Sequence, residues 1–522
     1  MKRPLTVIFS LLIATLTLVA GCGQAPQATQ PTLQLPSSTQ PPSTNRPSPP
    51  PSDPATTSNV LQQALAGNYK GKTVTVGGEW MESDYMKSLQ GFESLTGIDI
   101  QYASINDEFA PSFLSMVDAG KGPDVVEFTG VNSIQYWAEQ GKLVDISTFV
   151  DRDTLRAAYD QDLLDWATVD GPLGSVMAGV WAMAFISGVV WYPKAAFDKA
   201  GYQVPATWTE LLALSDQIVK DGGTPWCIEN GGDGVEGLSA VHWISDIMLR
   251  TTSPAEYDTW VKGDLKFDSP QVKHAVQLMS DVWFKPGYSS IKRQDINTTY
   301  WWQVMPRMVD NPPKCWLFKA PSYVTGYDGQ SVYTAFTSKE FGTDYAFFLL
   351  PPIDQVYGTP VVLYGHIHGM FHDRPEVRAL IEYLMTGAQL EAWIKSAGRF
   401  GISLHKDAQL DWYPPARGER AFAEVLRNTS IRRFNAINWL SNTVGDQFLM
   451  SINAYVNGDI DLDMALKQID AAASPPSPTT SRNGAARRSP GPMVTISRLL
   501  EQPSGPLVRR KVTTLRPALR LS

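Results

Sequence analysis

A strand–helix–strand pattern at residues 72–102 constrains the fold of this 522-residue chain more than any other feature. Residues 72–78 (KTVTVGG) alternate in polarity and reach a glycine pair, which predicts a β-strand. A helical stretch follows through Phe92, and residues 98–102 predict a second strand. Two strands joined by a helix within about thirty residues form a βαβ unit, which indicates a parallel sheet. The sequence therefore predicts an α/β fold.

A second ordered region, residues 186–220, predicts one strand and two helices. Residues 186–192 are a short apolar and β-branched run, typical of a buried strand. Residues 194–201 predict an amphipathic helix that ends at a glycine. Thr207 is placed to cap a helix predicted at residues 208–220, and a glutamate three residues later suits a capping box.

Acidic and aromatic residues stand at the ends of two predicted strands. Glu79, Trp80 and Glu82 follow the first strand, and Glu127 and Phe128 end a later one. Ligands of open α/β sheets bind outside the carboxyl ends of the strands. Aromatic faces pack against flat, partly apolar ligands, while carboxylates accept hydrogen bonds from hydroxyls. We expect these five residues to form one wall of a ligand site, with Trp80 as the main stacking residue; core packing of the tryptophan and solvated glutamates are the alternatives.

The beginning of the chain predicts export and a lipid anchor. Two basic residues precede the apolar stretch 5–19, which is short for a membrane span. Residues 18–22 (LVAGC) resemble the lipobox of bacterial lipoproteins, which implies a signal peptide at residues 1–21 and acylation of Cys22. An ordinary signal peptide beside an incidental cysteine is the alternative. Residues 22–68 predict an extended tether rich in Pro, Ser, Thr and Gln.

The distribution of charge along the chain limits the kinds of partner that it could bind. The formal net charge of −8 argues against a nucleic-acid partner. Residues 474–522 differ from the rest, because a Pro/Ser/Thr stretch leads into a basic tail opposed only by Glu501. Such a tail could bind anionic lipid or a cell-wall polymer. The alternative is that it has no role. We predict that residues 474–522 are disordered.

Several motifs together resemble the extracellular solute-binding proteins that deliver sugars to ABC importers. They occur in the family's order between residues 72 and 473, and are FESLTGI (92–98), PDVVEF (123–128), YPK (192–194, where the family has Tyr-Asn-Lys) and PATWTE (205–210). Residues 361–364 and 375–393 resemble the strand and the helix with which the family's chain returns to the first lobe. The resemblance implies an α/β, two-lobed periplasmic-binding-protein-like fold of type II with a hinge between the lobes. The predicted division is residues 69–182 plus 345–405 for lobe 1, and 183–344 plus 406–473 for lobe 2.

The chain offers further candidate residues of the site, and the resemblance implies a disulfide. Trp181, Trp302 and Trp316 are additional candidate ligand-binding residues, with core packing as the alternative for each. Tyr364 and His366 are also candidates, because the resemblance implies a turn here that lines the cleft. The segments around Cys227 and Cys315 resemble cysteine-bearing segments of α-glucoside-binding members, which implies a disulfide in the second lobe. Two separate buried thiols are the alternative.

The predicted function is capture of an α-glucoside or other oligosaccharide by a monomeric, surface-held protein. The importer's permease and ATPase subunits are the implied partners, and no cofactor, metal or catalysis is expected. A secreted glycoside hydrolase is one alternative, with Asp233 and Glu236 as a conceivable carboxylate pair. A metal-binding surface lipoprotein is another, because His366 and His368 alternate as zinc ligands can.

Overall fold

The structure is a computed structural model. It describes residues 60–78, 82–105, 108–231, 237–325, 336, 338–397, 401–414 and 418–473. The predicted signal peptide, the lipidation site Cys22 and the basic tail 474–522 lie outside these residues. The predicted tether 22–68 overlaps them only at its end, where residues 60–65 form a helix.

Eleven strands and seventeen helices are numbered here in chain order over the described residues. The strands are β1 (Thr73–Gly78), β2 (Asp99–Ser104), β3 (Val125–Phe128), β4 (Thr168–Gly171), β5 (Gly174–Met177), β6 (Val180–Ile186), β7 (Val189–Tyr192), β8 (Phe318–Lys319), β9 (Ala346–Leu349), β10 (Val361–Met370) and β11 (Arg432–Phe434).

The helices occupy the segments between and after these strands. They are α1 (Val60–Leu65), α2 (Glu82–Thr96), α3 (Pro111–Asp118), α4 (Val131–Glu139), α5 (Arg152–Ala158), α6 (Gln161–Ala167), α7 (Lys194–Ala200), α8 (Trp208–Lys220), α9 (Leu238–Thr251), α10 (Pro254–Val261), α11 (Pro270–Trp283), α12 (Trp301–Met308), α13 (Pro375–Leu384), α14 (Gly387–Ala397), α15 (Glu419–Asn428), α16 (Asn442–Asn457) and α17 (Leu462–Ala473).

The main sheet has the strand order β11-β10-β3-β1-β2, with β6 also paired to β10. Strands β1 and β2 run parallel, from Thr73 opposite Asp99 to Gly78 opposite Ser104, so the predicted βαβ unit is confirmed. Strand β10 is antiparallel to both β3 and β6. The sheet thus mixes parallel and antiparallel neighbours around a buried central strand.

A second sheet, β8-β7-β9, belongs to the other half of the fold. Helices α8–α11, α16 and α17 pack a separate hydrophobic cluster beside it. Three chain segments connect the main sheet to this half: residues 187–188, 350–360 and 435–441. Strand β9 pairs with β7 over Val189 to Tyr192, and so lies in the second sheet. The exact lobe boundaries stay a prediction.

The local signals of the middle segment are confirmed. Helix α7 ends at Gly201, whose positive φ of 75° is a left-handed conformation that glycine adopts without strain. The side chain of Thr207 accepts a hydrogen bond from the backbone N–H of Glu210 at 3.1 Å, and helix α8 has the predicted bounds. The Glu210 carboxylate accepts from the N–H of Ala206 at 2.7 Å, one residue earlier than in the usual capping box.

Two expectations on the returning segment differ from the structure. The helix predicted at residues 375–393 is two helices, because Thr386 bonds back to the Tyr383 carbonyl and accepts from the N–H of Gln389, which starts α14. The turn that we expected near His366 is instead the continuation of β10 to Met370, whose ten residues are all buried between neighbouring strands.

A disulfide joins Cys227 and Cys315, with Cα atoms 5.3 Å apart, so the predicted pairing is confirmed. It lies beside an isolated β-bridge between Trp226 and Leu317, which pairs the two chain segments that contain the cysteines. Within the described ranges, no helix combines the length and the apolar character that crossing a bilayer requires.

Candidate functional site

A buried acid–imidazole pair forms the centre of the candidate site. Glu127 lies near the carboxyl end of β3, and His366 lies on the adjacent strand β10. Nδ1 of His366 forms a short hydrogen bond with Oε1 of Glu127. Both residues are almost completely buried, at 3% and 4% exposure. The structure thus brings together two of the residues that the sequence singled out.

Burial favours the uncharged form of both members of this pair. Burial raises the pKa of the Glu127 carboxyl well above its usual value, and burial lowers the pKa of His366 to about 3. Both shifts have the same physical cause, which is that a charged form loses its hydration inside the protein. A neutral acid and a neutral imidazole share one proton in a hydrogen bond, so the pair can meet a ligand hydroxyl without introducing an ionic charge.

A row of aromatic rings extends from this pair toward the second half of the fold. The centroid of the Phe185 ring lies 5.3 Å from that of Tyr323 and 5.6 Å from that of His366. The ring centroids of His366 and Tyr364 are 5.9 Å apart, and those of Tyr364 and His242 on α9 are 6.4 Å apart. All four contacts are edge-to-face, an arrangement that aromatic rings favour. The row therefore connects the main sheet with α9 through side chains that can form hydrogen bonds.

A second buried acid, Glu229, stands beyond the far end of this row. Its carboxylate accepts a hydrogen bond from the Ser239 hydroxyl at 2.5 Å. Burial raises the pKa of Glu229 to about 8, although the Ser239 hydroxyl and the Lys319 ammonium favour its charged form. Glu229 lines a small cavity of about 20 Å³ together with His242 and Trp301. That volume holds about one water molecule, so a larger ligand can enter only when the two halves of the fold move apart.

The hydrogen-bonding residues of the pair, the ring row and the small cavity together form what we call the Glu127 cluster: Glu127, His366, Tyr364, Tyr323, His242 and Glu229. Two buried polar atoms of this cluster lack a hydrogen-bond partner among the described residues. They are Oε2 of Glu127 and Nε2 of His242. Burial lowers the pKa of His242 to about 3, helped by the nearby positive charge of Lys319, so its imidazole is neutral. An unsatisfied buried polar atom costs about 1–3 kcal/mol, and a ligand that satisfies it regains that free energy. Both atoms are therefore candidate ligand contacts.

The first predicted wall can be placed only in part. Glu79 and Trp80 lie outside the described residues. The backbone of Glu82 begins α2, but its side chain is outside the described part. Phe128 is buried and contacts Phe371 across 6.0 Å in the core. Of the predicted wall, Glu127 is the residue that the structure brings to the buried pair.

The tryptophans predicted for the site lie in different environments. Trp181 stacks on Phe434 at 4.7 Å and is 1% exposed, which places it in the core of the main sheet. Trp316 packs against Tyr202 at 5.1 Å, on the α7 side of the second half. Neither is brought to the Glu127–His366 pair. Because β6 is buried on both faces, the sequence around Trp181 does not distinguish a core residue from a cleft residue.

Trp302 is the predicted tryptophan that remains partly accessible near the cavity. Its ring stacks on Tyr300 at 4.5 Å with planes 22° apart, and meets the ring of Trp301 at 5.7 Å. Trp301 itself lines the small cavity beside Glu229. A flat, half-buried double ring at this position is suited to cover an apolar sugar face.

The two alternating histidines, His366 and His368, form hydrogen bonds with different residues. A register shift occurs in β10 between His366 and Ile367. His366 bonds Glu127, whereas Nε2 of His368 lies 2.9 Å from the hydroxyl of Tyr85. Over the residues described, no group of three or more His, Cys, Asp and Glu side chains is arranged to hold a metal ion. The conceivable carboxylates Asp233 and Glu236 lie outside the described residues.

A larger cavity, about 600 Å³, lies elsewhere on the fold. It is lined by charged side chains of α6 and β11 and by His405. Arg432, one of its cationic residues, already donates hydrogen bonds to both Asp160 and Asp162 at 2.6–2.8 Å. This cavity has the larger volume, whereas Oε2 of Glu127 and Nε2 of His242, which lack partners among the described residues, belong to the Glu127 cluster. We therefore place the candidate site at the Glu127 cluster.

Sequence analysis missed three residues of the cluster. His242 belongs to an almost wholly buried helix, and the successive spacing of four residues from His242 to Asp246 and from Asp246 to Arg250 was the available signal. Glu229 and Tyr323 lie in segments without a periodic pattern, and only their three-dimensional environment identifies them.

Comparisons with known proteins agree with this architecture. The family described as bacterial extracellular solute-binding protein matches residues 78–281. The osmoprotective compounds-binding protein GgtB of Synechocystis sp. is 33% identical over 399 residues, which cover 75% of this chain and 90% of the relative. The alpha-glucosides-binding periplasmic protein AglE of Rhizobium meliloti is 28% identical over 414 residues, 76% of this chain and 86% of the relative.

Solved structures give the fold independently. The bacterial solute receptor AcbH superimposes with a TM-score of 0.60 at 15% identity, covering 77% of this chain and 98% of the receptor. That likeness concerns the fold alone, which is the two-lobed α/β fold of type II periplasmic binding proteins, as predicted. These relatives and neighbours are binding proteins, not enzymes. This chain belongs to the bacterial extracellular solute-binding proteins, which capture solutes for ABC importers.

Proposed function

We propose that this protein captures a neutral carbohydrate, an α-glucoside or other oligosaccharide, between its two lobes. One observation supports the proposal above all: the buried Glu127–His366 pair, in which burial favours the uncharged form of both groups and Oε2 of Glu127 has no hydrogen-bond partner among the described residues. Neutral donors and acceptors in a buried site match sugar hydroxyls, because each hydroxyl can both donate and accept. An ionic ligand would instead need a compensating charge there.

The names of the relatives support the same substrate class. AglE is named for α-glucosides, and AcbH is described as having a substrate preference for β-D-galactopyranose. The name of GgtB refers more broadly to osmoprotective compounds. The half-buried Tyr300–Trp302 stack adds the flat apolar surface that a pyranose ring needs beside its hydroxyl contacts.

The working assembly that we propose is supported by the family and by the lipobox-like residues 18–22. The protein is a monomer held at the extracytoplasmic face of the cytoplasmic membrane by acylated Cys22. It passes its sugar to the permease and ATPase subunits of an importer. Cys22→Ser should release the protein from the membrane fraction, and retention of this variant in that fraction would contradict the anchor.

Calorimetric titration of the full chain tests the substrate class. The panel is maltose, sucrose, trehalose and raffinose, with glycine betaine as a zwitterionic osmolyte. We expect saturable binding of at least one sugar, without release of reducing ends, and no binding of betaine. Binding of betaine with none of the sugars, or hydrolysis of a sugar, would refute the proposal.

A pair of buried histidines supplies a matched control for the position of the site. His366→Asn removes the imidazole from the candidate cluster, while His405→Asn does so in the larger cavity. Loss of one buried hydrogen-bonding partner costs about 1–3 kcal/mol, or about 5- to 150-fold in affinity. We expect this loss for His366→Asn alone. The reverse pattern would move the site to the cavity beside His405.

A further inference from the structure

Helix α9 carries a line of buried polar residues that the proposed binding site does not use fully. His242, Asp246 and Arg250 are spaced by four residues and lie on one face of the helix. Asp246 and Arg250 have no exposed side-chain surface. Buried charges of this kind require nearby partners, and the identity of those partners shows what α9 holds.

Asp246 holds the first connection between the two halves, residues 187–188. Its Oδ2 accepts a hydrogen bond from the Ser187 hydroxyl at 3.2 Å and lies 2.7 Å from the Lys319 ammonium. Lys319 is on β8, and its side chain is also fully buried. At Gly188 a β-carbon would come within 2.5 Å of Asp246 Oδ1, so the connection passes directly against the carboxylate.

Arg250 holds the second connection, residues 350–360, at both of its ends. Nε donates to the Leu350 carbonyl at 2.8 Å, and Nη2 donates to the Pro360 carbonyl at 2.9 Å. The guanidinium has a fixed planar geometry, so these two bonds set the distance between the ends of the connection. The N–H of Leu350 donates to the carbonyl of Gly188 at 2.8 Å, which ties the second connection to the first.

Ser245 of the same helix holds the third connection, residues 435–441. Its hydroxyl oxygen accepts from the N–H of Ala436 at 3.3 Å and lies 3.4 Å from Oδ1 of Asn435. Tyr257 of α10 adds a hydrogen bond to the Phe434 carbonyl at 2.9 Å. One helix of the second half thus contacts all three connections through consecutive residues and the next turn.

We propose that α9 is the anchor of the hinge: Ser245, Asp246 and Arg250 fix the three connections to one rigid helix and so restrict the angle between the lobes. Two cations share one carboxylate in this network, so Asp246 is its central member. The three residues are positioning residues, since hinge segments absorb the rotation and α9 limits where they can do so. The candidate contact His242 lies one turn before Asp246 on the same helix.

Distance measurements between the lobes test this proposal. Spin labels are placed at Lys121→Cys and Lys262→Cys, two exposed positions on opposite halves, in the full chain with Cys22→Ser. Ser187→Ala and Asp246→Asn should each broaden the distance distribution of the ligand-free protein toward longer separations. Because no sugar is present, the outcome does not depend on the proposed substrate.

Ser215→Ala is the matched control. Ser215 is fully buried like Ser187, and its hydroxyl accepts from Trp226 and donates to the Leu211 carbonyl within the second half. We expect it to lower stability without changing the distance distribution. If Asp246→Asn does not fold, Ser187→Ala alone decides the question. A wild-type distribution in the folded Ser187→Ala variant, or equal broadening in Ser215→Ala, would overturn the proposal.

Discussion

The buried carboxyl of Glu229 predicts an unusual loss of stability in mildly alkaline solution. Burial raises its pKa from the model-compound value of 4.5 to about 8 in the folded protein. Between these values the folded state keeps a proton that the unfolded state has lost. Unfolding then releases a proton, so the free energy of unfolding falls as the pH rises toward the folded pKa. The group's contribution is therefore complete below pH 4.5 and is lost as the pH passes through about 8.

The size of the effect follows from the same shift. Buried His242 has an unfolded pKa of 6.5 and a folded value of about 3, so its opposite contribution is nearly complete above pH 6.5. From there to a pH of about 8, Glu229 alone should remove about 1.5 kcal/mol of stability. Glu127 has a raised pKa of the same cause, and its contribution is common to the wild type and to any Glu229 variant.

Urea unfolding of wild type and Glu229→Gln across this pH range measures the difference. Glutamine keeps an acceptor for the Ser239 hydroxyl but cannot ionise, so the variant should lose about 1.5 kcal/mol less than wild type over the range. Glu424→Gln, at an exposed position of α15, is the control and should follow the wild type. Parallel pH profiles for wild type and Glu229→Gln would refute the reasoning about the buried acid.

Three other perturbations have defined outcomes. Replacing Cys227 and Cys315 by serine opens a link between residues 88 apart and should cost about 2–4 kcal/mol in chemical unfolding, whereas an unchanged midpoint would argue against the bond. Gly365→Ala would place a β-carbon 2.3 Å from the Phe434 ring and should lower stability by about 1–3 kcal/mol; thermal melting at or above the wild-type temperature would contradict this packing. Trp302→Ala should weaken sugar binding about 3- to 10-fold in calorimetry, and unaltered affinity would remove it from the site.

The elements with strong local signals were predictable from the sequence. The cap at Thr207 and the glycine at 201 fix the limits of α7 and α8 because their hydrogen bonds and backbone angles are local. The parallel pairing of β1 and β2 followed from the helix between them. Strand β10 was predicted too short, since its continuation past Tyr364 depends on pairing with distant strands that no local pattern reports.

The candidate site was predictable only where topology decides position. Glu127 was identified because it stands near the end of a strand, and His366 was identified through the family resemblance. The sequence could not show whether Trp181 lies in the core or in the cleft, because its strand is buried on both faces; its ring fills the core. Glu229 and His242 were missed, since an isolated acid or histidine gains its significance from burial, which depends on the whole fold.

We propose that hydrogen-bonding groups around Glu127 bind a sugar between the lobes. A crystal structure of the full chain with the sugar that binds in calorimetry is the decisive test. We expect sugar hydroxyls within hydrogen-bonding distance of Oε2 of Glu127 and Nε2 of His242, two atoms of the cluster without partners among the described residues. A sugar bound instead in the cavity beside Arg432 and His405, with both atoms untouched, would contradict it.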